Sequence, residues 1–445
     1  MATKQNIDFV LRTIEKRNIR FVRLWFTDVL GNLKSFAVCP EDLEEAFEEG
    51  IGFDGSAVDG FAPLEQSDML AFPDPETFQI LPWSTVGGAA RMFCDIKTPR
   101  GESFGGDTRA CLSRAFDEAE KKGYFYMVGP EIEYFYFDNP KQPVLLDDAG
   151  YFDMTPSDSI RNLRRNTTET LERMSIPVTY SYHAVAPSQN GIMLRYAEAR
   201  TCADNVITAR HVIKQEAYME NMFASFMPKP LEEIPGSAMF LHQSLFDHKG
   251  NNLFYGGEDE HGVILSDLAK HYIAGILKYA PEMALITNPT VNSYKRLVPT
   301  GQVPIYATWG KRNRSAYVRI PTYKPGKIAS TRIEIRTPDP TSNPYLCFAV
   351  TLAAGMKGIE EELKLQPETR VAPFNELGEE LLSSDIKRLP HNLGEAIAEF
   401  EKSELMHEVL GEHIFNFMIE QKTREWEEYS RYVTSWECEH YYAGF

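Results

Sequence analysis

The sequence lacks several features that would place it in well-known classes of protein. Its 445 residues include six cysteines with no Cys-x-x-Cys spacing, so neither a disulfide framework nor a zinc site is predicted. No apolar run reaches the ~18 residues that suit a membrane-spanning helix. The first residues show no charged-then-apolar signal pattern, and phosphate-binding glycine loops of the Walker and dinucleotide types are missing. We therefore expect a cytoplasmic protein.

Basic residues are the minority among the charged ones. The chain has 46 lysines and arginines against 64 aspartates and glutamates, a net charge of −18. This balance argues against a general binder of nucleic acid or anionic membrane and is compatible with a soluble enzyme or an oligomer. With 43% hydrophobic and 25% charged residues, the composition is that of a globular protein. The length allows two or three domains of roughly 150 residues each.

Helix and strand patterns divide the chain into two parts. In residues 1–105, strands around a turn at 28–32 and short helical faces predict a small mixed domain, with acid-bearing loops at 52–57 and 65–69. In residues 106–445 helices and strands alternate, which predicts a large α/β domain. Its predicted helices lie at residues 108–122, 161–174, 206–224, 346–365, 392–400 and 403–432, and predicted strands lie at 178–185 and 239–246. The fold class predicted is therefore α+β.

Two acids interrupt an aromatic strand pattern at residues 129–137. Side chains alternate along a strand, so Glu131 and Glu133 share a face with their carboxylates ~6–7 Å apart along the chain. Such a pair suits a divalent cation, because two unpaired acids on a half-buried face repel each other and lose hydration. A sheet-edge ion pair with Arg or Lys is the other interpretation, and the strand alone does not decide between them.

A second strand pattern carries an acid between two arginines. Arg332, Glu334 and Arg336 share one face, while Ile333 and Ile335 point to the core. Guanidinium groups bind phosphates and carboxylates through paired hydrogen bonds, although an Arg beside a Glu is more often a structural ion pair. Taken together, the acids and arginines predict a site in which carboxylates hold Mg²⁺ and arginines neutralise a transferring phosphoryl group. Further arginines of this set are Arg296, Arg314 and Arg319.

The chain resembles the type I glutamine synthetases along its whole length. The motifs that carry the resemblance are Phe53-Asp54-Gly55-Ser56, Gly129-Pro130-Glu131-Ile132-Glu133, Phe226-Met227-Pro228-Lys229-Pro230, Asn288-Pro289-Thr290-Val291-Asn292-Ser293-Tyr294-Lys295-Arg296, Asn313-Arg314-Ser315, Arg332-Ile333-Glu334-Ile335-Arg336 and Asn343-Pro344-Tyr345. The resemblance implies a β-grasp-like domain over residues 1–105 and a catalytic domain over 106–445. It also implies stacked hexameric rings, a dodecamer, in which Asp54 of one subunit completes the site of its neighbour. The implied activity belongs to nitrogen metabolism: ATP-dependent phosphorylation of glutamate, then attack by an amine.

The resemblance also assigns roles to single residues, with ATP and Mg²⁺ or Mn²⁺ as cofactors. The implied metal ligands are Glu131, Glu133 and Glu334, and the implied catalytic residues are Asp54, Arg314 and Arg336. The implied nucleotide contacts are Tyr196, His242, Ser244, Arg319 and Arg332. The implied substrate contacts are Gly236, Arg296 and Gln302.

Several positions depart from the family pattern. Ala184, Gly191 and Phe240 stand where three of the family's six metal ligands are expected, and none of these side chains can coordinate Mg²⁺ or Mn²⁺. Gln302 replaces the glutamate that takes a proton from ammonium, and an amide cannot act as that base. We therefore expect a pseudoenzyme-like member in which ordinary glutamine synthesis is lost or strongly reduced. The alternative is an active ATP-dependent γ-glutamyl ligase with a different amine or acid substrate.

Overall fold

The computed structural model describes residues 4–61, 67–84, 88–141, 143–154, 158–259, 262–299, 303–311, 313–370 and 386–444. The small N-terminal part contains α1 (Lys4–Arg17), β1 (Phe21–Thr27), β2 (Leu33–Val38), α2 (Leu43–Glu49), β3 (Ile51–Asp54), β4 (Asp68–Pro73), β5 (Gln79–Ile80) and β6 (Ala89–Lys97). The large part begins with α3 (Thr108–Lys121), β7 (Phe125–Phe137), α4 (Asp158–Arg173), β8 (Val178–His183), β9 (Gln189–Leu194), β10 (Ala197–Glu198), α5 (Ala199–Met219), β11 (Phe223–Ser225) and β12 (Met239–Phe246). It continues with β13 (Tyr255–Asp259), β14 (Gly262–Leu265), α6 (Asp267–Thr287), α7 (Val291–Arg296), β15 (Trp309–Lys311), β16 (Val318–Ile320), β17 (Ile333–Ile335), α8 (Pro344–Glu360), α9 (Leu393–Glu401), α10 (Glu404–Arg431) and α11 (Ser435–Tyr441).

The small domain is built on a sheet in the order β2-β1-β6-β4-β3, with β5 added beside β6. Its own core includes Val22 and Leu24 from β1 and Met92 from β6. The sequence prediction of acidic loops at 52–57 and 65–69 is wrong in part, because β3 and β4 take in residues from both segments and pair antiparallel. Glycines around a four-residue strand hide its alternation, which explains the error.

The large domain is organised by a nine-stranded sheet in the order β15-β16-β17-β12-β7-β9-β8, with β10 and β11 also paired to β7. Even-numbered residues of β7, such as Ile132 and Tyr134, point to the helices and are fully buried. The odd-numbered Glu131 and Glu133 point the other way, as strand alternation requires. The sheet therefore has a helix-covered face and a second face that carries the acids.

Helices α6 and α8 support the covered face and approach each other very closely. A side chain on Gly275 of α6 would lie 2.1 Å from the carbonyl oxygen of Ala354 and 2.7 Å from the Cα of Gly358. Glycine is required where backbones approach in this way. The sequence patterns did not predict α6, and they placed α5 too late, since it ends at Met219 and a short strand begins at Phe223.

Buried polar contacts join the two domains. The guanidinium of Arg109 on α3 pairs with Asp74 and Asp95 of the small domain at 2.6 and 2.7 Å and with Asp204 on α5 at 3.1 Å. The side chain of Asn343, at the start of α8, donates to the carbonyl of Val29. None of the helices in the described ranges is long and apolar enough to cross a membrane.

Candidate active site

The acid-bearing face of the large sheet gathers residues from three neighbouring strands, β7, β12 and β17. Antiparallel pairing places Phe240 opposite Glu131, and it places His242 opposite both Gly129 on β7 and Glu334 on β17. Paired residues in adjacent strands point to the same side. We call this surface, defined by Glu131, Glu133, Phe240, His242 and Glu334, the site face.

Glu334 is buried between two arginines. Its carboxylate accepts from Arg319 Nη1 at 2.6 Å and from Arg336 Nη1 through its other oxygen. Burial works to raise the pKa of Glu334, but its electrostatic interactions with His242, Arg336 and Arg319 outweigh it and leave the pKa below its usual value. Both oxygens of this acid are therefore occupied by guanidinium groups, as in a structural ion pair.

Glu131 accepts one hydrogen bond and lies beside a ring nitrogen that has no hydrogen-bond partner in the described structure. The hydroxyl of Tyr182 donates to Glu131 Oε1 at 2.5 Å, and Nε2 of His242 lies 3.6 Å from Oε2. Nδ1 of His242 lies 3.2 Å from the Nε of Arg332, which can only donate. In a neutral ring, the remaining hydrogen of His242 therefore sits on Nε2, the nitrogen that faces Glu131.

The ring of Tyr182 lies over Gly191. Tyr182 pairs with Gly191, which in turn pairs with Glu133, so the three residues form a row across β8, β9 and β7. A Cβ atom on Gly191 would lie 2.3 Å from Cζ of the ring, well inside contact distance. Burial, together with Glu133 and Glu131, raises the pKa of Tyr182 far above its usual value, so the hydroxyl keeps its proton. The position from which the family's ligand glutamate would project is therefore covered by an aromatic ring.

Glu133 lies on the site face near two of the predicted substrate residues. Its Oε2 accepts from the backbone N–H of Ala238 at 2.8 Å. Burial is the main cause that raises its pKa to about 7, with repulsion from Glu131 adding to it. Arg296, buried on α7, lies on the same side, and its Cγ would be 3.0 Å from a Cβ on Gly236. The structure thus brings Glu133, Arg296 and Gly236 together.

Ala184 and Phe240, the other two residues at which the resemblance predicts a lost metal ligand, are both packed against protein groups. The ring of Phe240 lies 4.5 Å from the guanidinium carbon of Arg336, a cation–π contact. Ala184 is fully buried, and its N–H donates to the carbonyl of Gln189. No group of three or more His, Cys, Asp or Glu side chains in the described part of the chain is placed to hold a metal ion. The donors present on the site face do not fit a pair of divalent cations, so the assignment of Glu131, Glu133 and Glu334 as ligands stays a prediction that this arrangement disfavours.

The predicted nucleotide residues lie at the other end of the site face. Tyr196 is 58% exposed and packs against Gly129, with its Cβ 3.3 Å from where a Cβ of Gly129 would be. His242 and Ser244 follow along β12 opposite Gly129 and Met127. Arg332 is half-buried against the ring of Tyr323. An exposed ring, polar groups and arginines are thus neighbours here, as predicted.

The last three predicted residues are Asp54, Arg314 and Gln302. Asp54 ends β3 in the small domain and accepts from the N–H of Ser56 at 2.8 Å; hydrogen bonds from Ser56 lower its pKa. Arg314 is exposed, and its carbonyl accepts from Arg336 Nε at 2.8 Å. Gln302 lies outside the described residues. The structure therefore gathers most of the predicted set on one face and leaves Asp54 within its own domain.

Sequence reasoning missed a cluster of aromatic side chains at the edge of the site face. Tyr151 and Phe152 stack at 4.0 Å between ring centres, and Tyr182 lies edge-on to both at 5.9 and 5.5 Å. Tyr180 adds a fourth ring, 5.7 Å from Tyr182. Phe152 has a φ of 64°, a left-handed conformation that is costly for a bulky residue. We call these four residues the aromatic rim.

Comparison with known proteins agrees with this geometry. Residues 18–99 match the family of the glutamine synthetase beta-Grasp domain, and residues 105–441 match that of the glutamine synthetase catalytic domain. The glutamine synthetase of Mycolicibacterium smegmatis is 49% identical over 443 residues, with 98% of both chains covered. That of Methanosarcina mazei is 44% identical, with 97% of this chain and 96% of the relative covered. Among solved structures, a GmaS/ADP complex superimposes with a TM-score of 0.87 at 27% identity, covering 97% of this chain and 99% of the other.

A β-grasp domain followed by a catalytic domain with this sheet defines a fold of the glutamine synthetase type. The chain belongs to the glutamine synthetase family, whose members are ATP-dependent glutamate–ammonia ligases that use a divalent metal. The resemblance inferred from the motifs is thereby confirmed at the level of the family, and so is the predicted fold class.

Proposed function

We propose that this protein is a glutamine synthetase homologue that binds nucleotide but has lost ordinary glutamine synthesis. The observation that carries the proposal is the ring of Tyr182, which covers Gly191 and donates its hydroxyl to Glu131. Moving a phosphoryl group to a carboxylate requires cations to offset the negative charge that develops on the phosphoryl oxygens. On the site face, the acids that would hold those cations are engaged by Tyr182, Arg319 and Arg336.

The test is an assay for glutamine and phosphate with glutamate, ammonium, ATP and Mg²⁺ or Mn²⁺. We expect neither product above the protein-free blank. Turnover of order 1 per second or faster, as in ordinary enzymes, would contradict the proposal. A reverse experiment restores the ligand positions through Ala184→Glu, Gly191→Glu and Phe240→His. These three changes should raise Mn²⁺ affinity only when Tyr182→Ala removes the covering ring, so the triple variant with Tyr182 intact is the matched control.

Nucleotide binding is proposed to persist because its residues remain neighbours. Tyr196 offers an exposed ring against Gly129 of β7, and Arg319 and Arg332 lie on or beside β16 and β17 of the same sheet. The solved GmaS structure is a complex with ADP, which supports nucleotide binding by the same fold in this protein. Calorimetry with Mg-ATP should show saturable binding that weakens in Tyr196→Ala, while Tyr218→Ala, which removes another exposed tyrosine from the end of α5, should bind as the unaltered protein does. Absence of heat at millimolar nucleotide would overturn this part of the proposal.

A second candidate is an active γ-glutamyl ligase with a different amine. The aromatic rim favours it, because rings beside Glu131 and Glu133 form a surface suited to an alkylammonium group. Among the four rings, Tyr151 and Tyr180 are about half exposed. A panel of ammonium, methylamine and longer diamines, with glutamate and ATP, should then give amine-dependent release of ADP that Tyr151→Ala reduces. Equal ATP hydrolysis with and without every amine would reject this candidate.

We also propose a ring-shaped homo-oligomer, with stacked hexamers as the arrangement that the family resemblance implies. Asp54 lies apart from the site face of its own chain, which is expected if it completes a neighbouring site. Near the C-terminus, Tyr432, Trp436 and Tyr442 are 70, 54 and 88% exposed, which is unusual for large apolar side chains without a partner. Light scattering should give a mass several times that of one chain. A mass of 50.7 kDa, that of a single chain, would contradict the proposal.

A further inference from the structure

A cavity of about 680 Å³ lies at the junction of the two domains, away from the site face. One wall is formed by β1 and the turn into β2 in the small domain, and the other by α5 of the large domain. Four basic side chains line it: Arg23 from β1, and Arg210, His211 and Lys214 from α5. We call this space the basic cavity. Its volume is within the range of pockets that bind small organic molecules.

The bases in this cavity have no acid to balance them. No Asp or Glu among the residues described by the structure lines it. The negative charge of Asp339 works to raise the pKa of Arg210 from a distance, but the Asp339 carboxylate accepts hydrogen bonds from Asn288 and Thr341. The side chains of Arg23 and Lys214, both of them exposed, make no hydrogen bond or ion pair within the described ranges.

Arg210 is less exposed than Arg23 and Lys214 and is held by the protein itself. Its Nη2 donates to the carbonyl of Ser342 at 2.7 Å, but its Nε is buried with no hydrogen-bond partner in the described structure. A buried donor left unpaired is costly and rare in native proteins. Burial lowers the pKa of Arg210 to about 10. The Nε has almost no accessible surface, and the Nε atoms of Arg91, Arg296 and Arg319 are unpaired in the same way, so Arg210 contributes its positive charge to the basic cavity and not a free donor.

Three aromatic side chains of the lining contact His211 and Lys214. The ring of His211 lies edge-on to Trp25 at 5.3 Å and tilted against Trp83 at 5.5 Å. The ammonium of Lys214 lies 5.6 Å from the ring centre of Phe226. Burial first, and then Lys214 and Arg23, lower the pKa of His211, which keeps it neutral at neutral pH. Three permanent positive charges, from Arg23, Arg210 and Lys214, thus face one space.

We propose that the basic cavity is a binding site for a small organic anion with two or three negative charges, carried by phosphate or carboxylate groups. Guanidinium and ammonium groups are the side chains that bind such anions most strongly. An anion bound here would contact the small domain through Arg23 and the large domain through Lys214. Binding would therefore remove the repulsion among the bases and join the two domains.

The experiment uses the full chain and three probes: inorganic phosphate, ribose 5-phosphate and citrate. Calorimetry and thermal unfolding at low salt should show saturable binding of at least one probe, with a rise in melting temperature. Preference for ribose 5-phosphate identifies a phosphate site, and preference for citrate identifies a carboxylate site. Failure of all three probes to bind at millimolar concentration would overturn the proposal.

Variants distinguish this cavity from the arginines of the site face. Lys214→Met and Arg23→Gln should each weaken probe binding by about tenfold or more, because each removes one charged contact. Lys214→Met should also raise the melting temperature of the ligand-free protein, since it relieves repulsion. Lys249→Met, which removes an exposed lysine from a distant turn, is the matched control and should change neither result. Unchanged probe binding in the variant that combines Lys214→Met with Arg23→Gln would place the anion elsewhere and overturn the proposal.

Discussion

The site face and the basic cavity differ in whether their charged side chains have partners of opposite charge. On the site face, the acid Glu334 lies between two guanidinium groups and Glu131 accepts from a tyrosine hydroxyl. In the basic cavity, Arg23, Arg210 and Lys214 face one another without an acid. Removing a charge from the first region should therefore destabilise the protein, and removing one from the second should stabilise it when no ligand is bound. The comparison indicates that two acids of the site face are paired within the protein, whereas the bases of the basic cavity are left for the anion that we propose.

The largest expected effect comes from breaking the balance on the site face. Glu334→Gln leaves Arg336 buried without its acid, and removal of one partner of a buried ion pair typically costs ~3–5 kcal/mol. Denaturant unfolding should show this loss in the free energy of unfolding. Glu399→Gln breaks the exposed Glu399–Lys402 pair, for which a cost of ~0–1 kcal/mol is expected. Equal losses in the two variants would mean that Glu334 is not held as described.

A smaller effect is expected from crowding the row formed by Tyr182, Gly191 and Glu133. Gly191→Glu places a Cβ within 2.3 Å of the ring of Tyr182, and overpacking of this kind costs ~1–3 kcal/mol. The same change made in a Tyr182→Ala background should cost much less, and a double-mutant cycle measures the difference. Gly52→Glu on β3 is the control, because nothing lies within 4 Å of its added Cβ. Additive losses at positions 182 and 191 would show that the ring does not cover Gly191.

The smallest effect concerns pH and the basic cavity. Burial, Lys214 and Arg23 lower the folded-state pKa of His211, so below pH ~6.5 the unfolded chain binds more protons than the folded one. Stability is therefore lost as the pH falls through that value. The loss is ~1 kcal/mol for each unit by which folding lowers the pKa of His211. Melting curves between pH 8 and 5 should show a smaller loss for His211→Gln than for the unaltered protein. Lys214→Met should also reduce the loss, because it removes one cause; an unchanged profile in both variants would contradict the assignment.

Much of the fold, and which residues belong to the site face, could be predicted from the sequence. Alternation in β12 predicted its bounds, residues 239–246, and the shared face of Glu131 and Glu133 is confirmed. Helix α6 was missed because it is apolar around most of its circumference and contains Pro281, so it lacks the periodicity that marks an amphipathic helix. The role of Tyr182 was missed because only the register of β8 against β9 places it over a glycine. The basic cavity was missed because its residues are separated in sequence and meet through the packing of two domains.

The contact between α6 and α8 has a mechanical consequence for the site face. Their backbones touch at Gly275 and Gly358, and the ring of Tyr272 fills the space left by Gly355. Two helices in such contact cannot slide or tilt without collision, so the layer behind the sheet behaves as a stiff support. The strands that carry Glu131 and His242 rest on this support. Shape changes that accompany ligand binding are therefore to be sought in the side chains and loops above the site face, and the sheet itself should move very little.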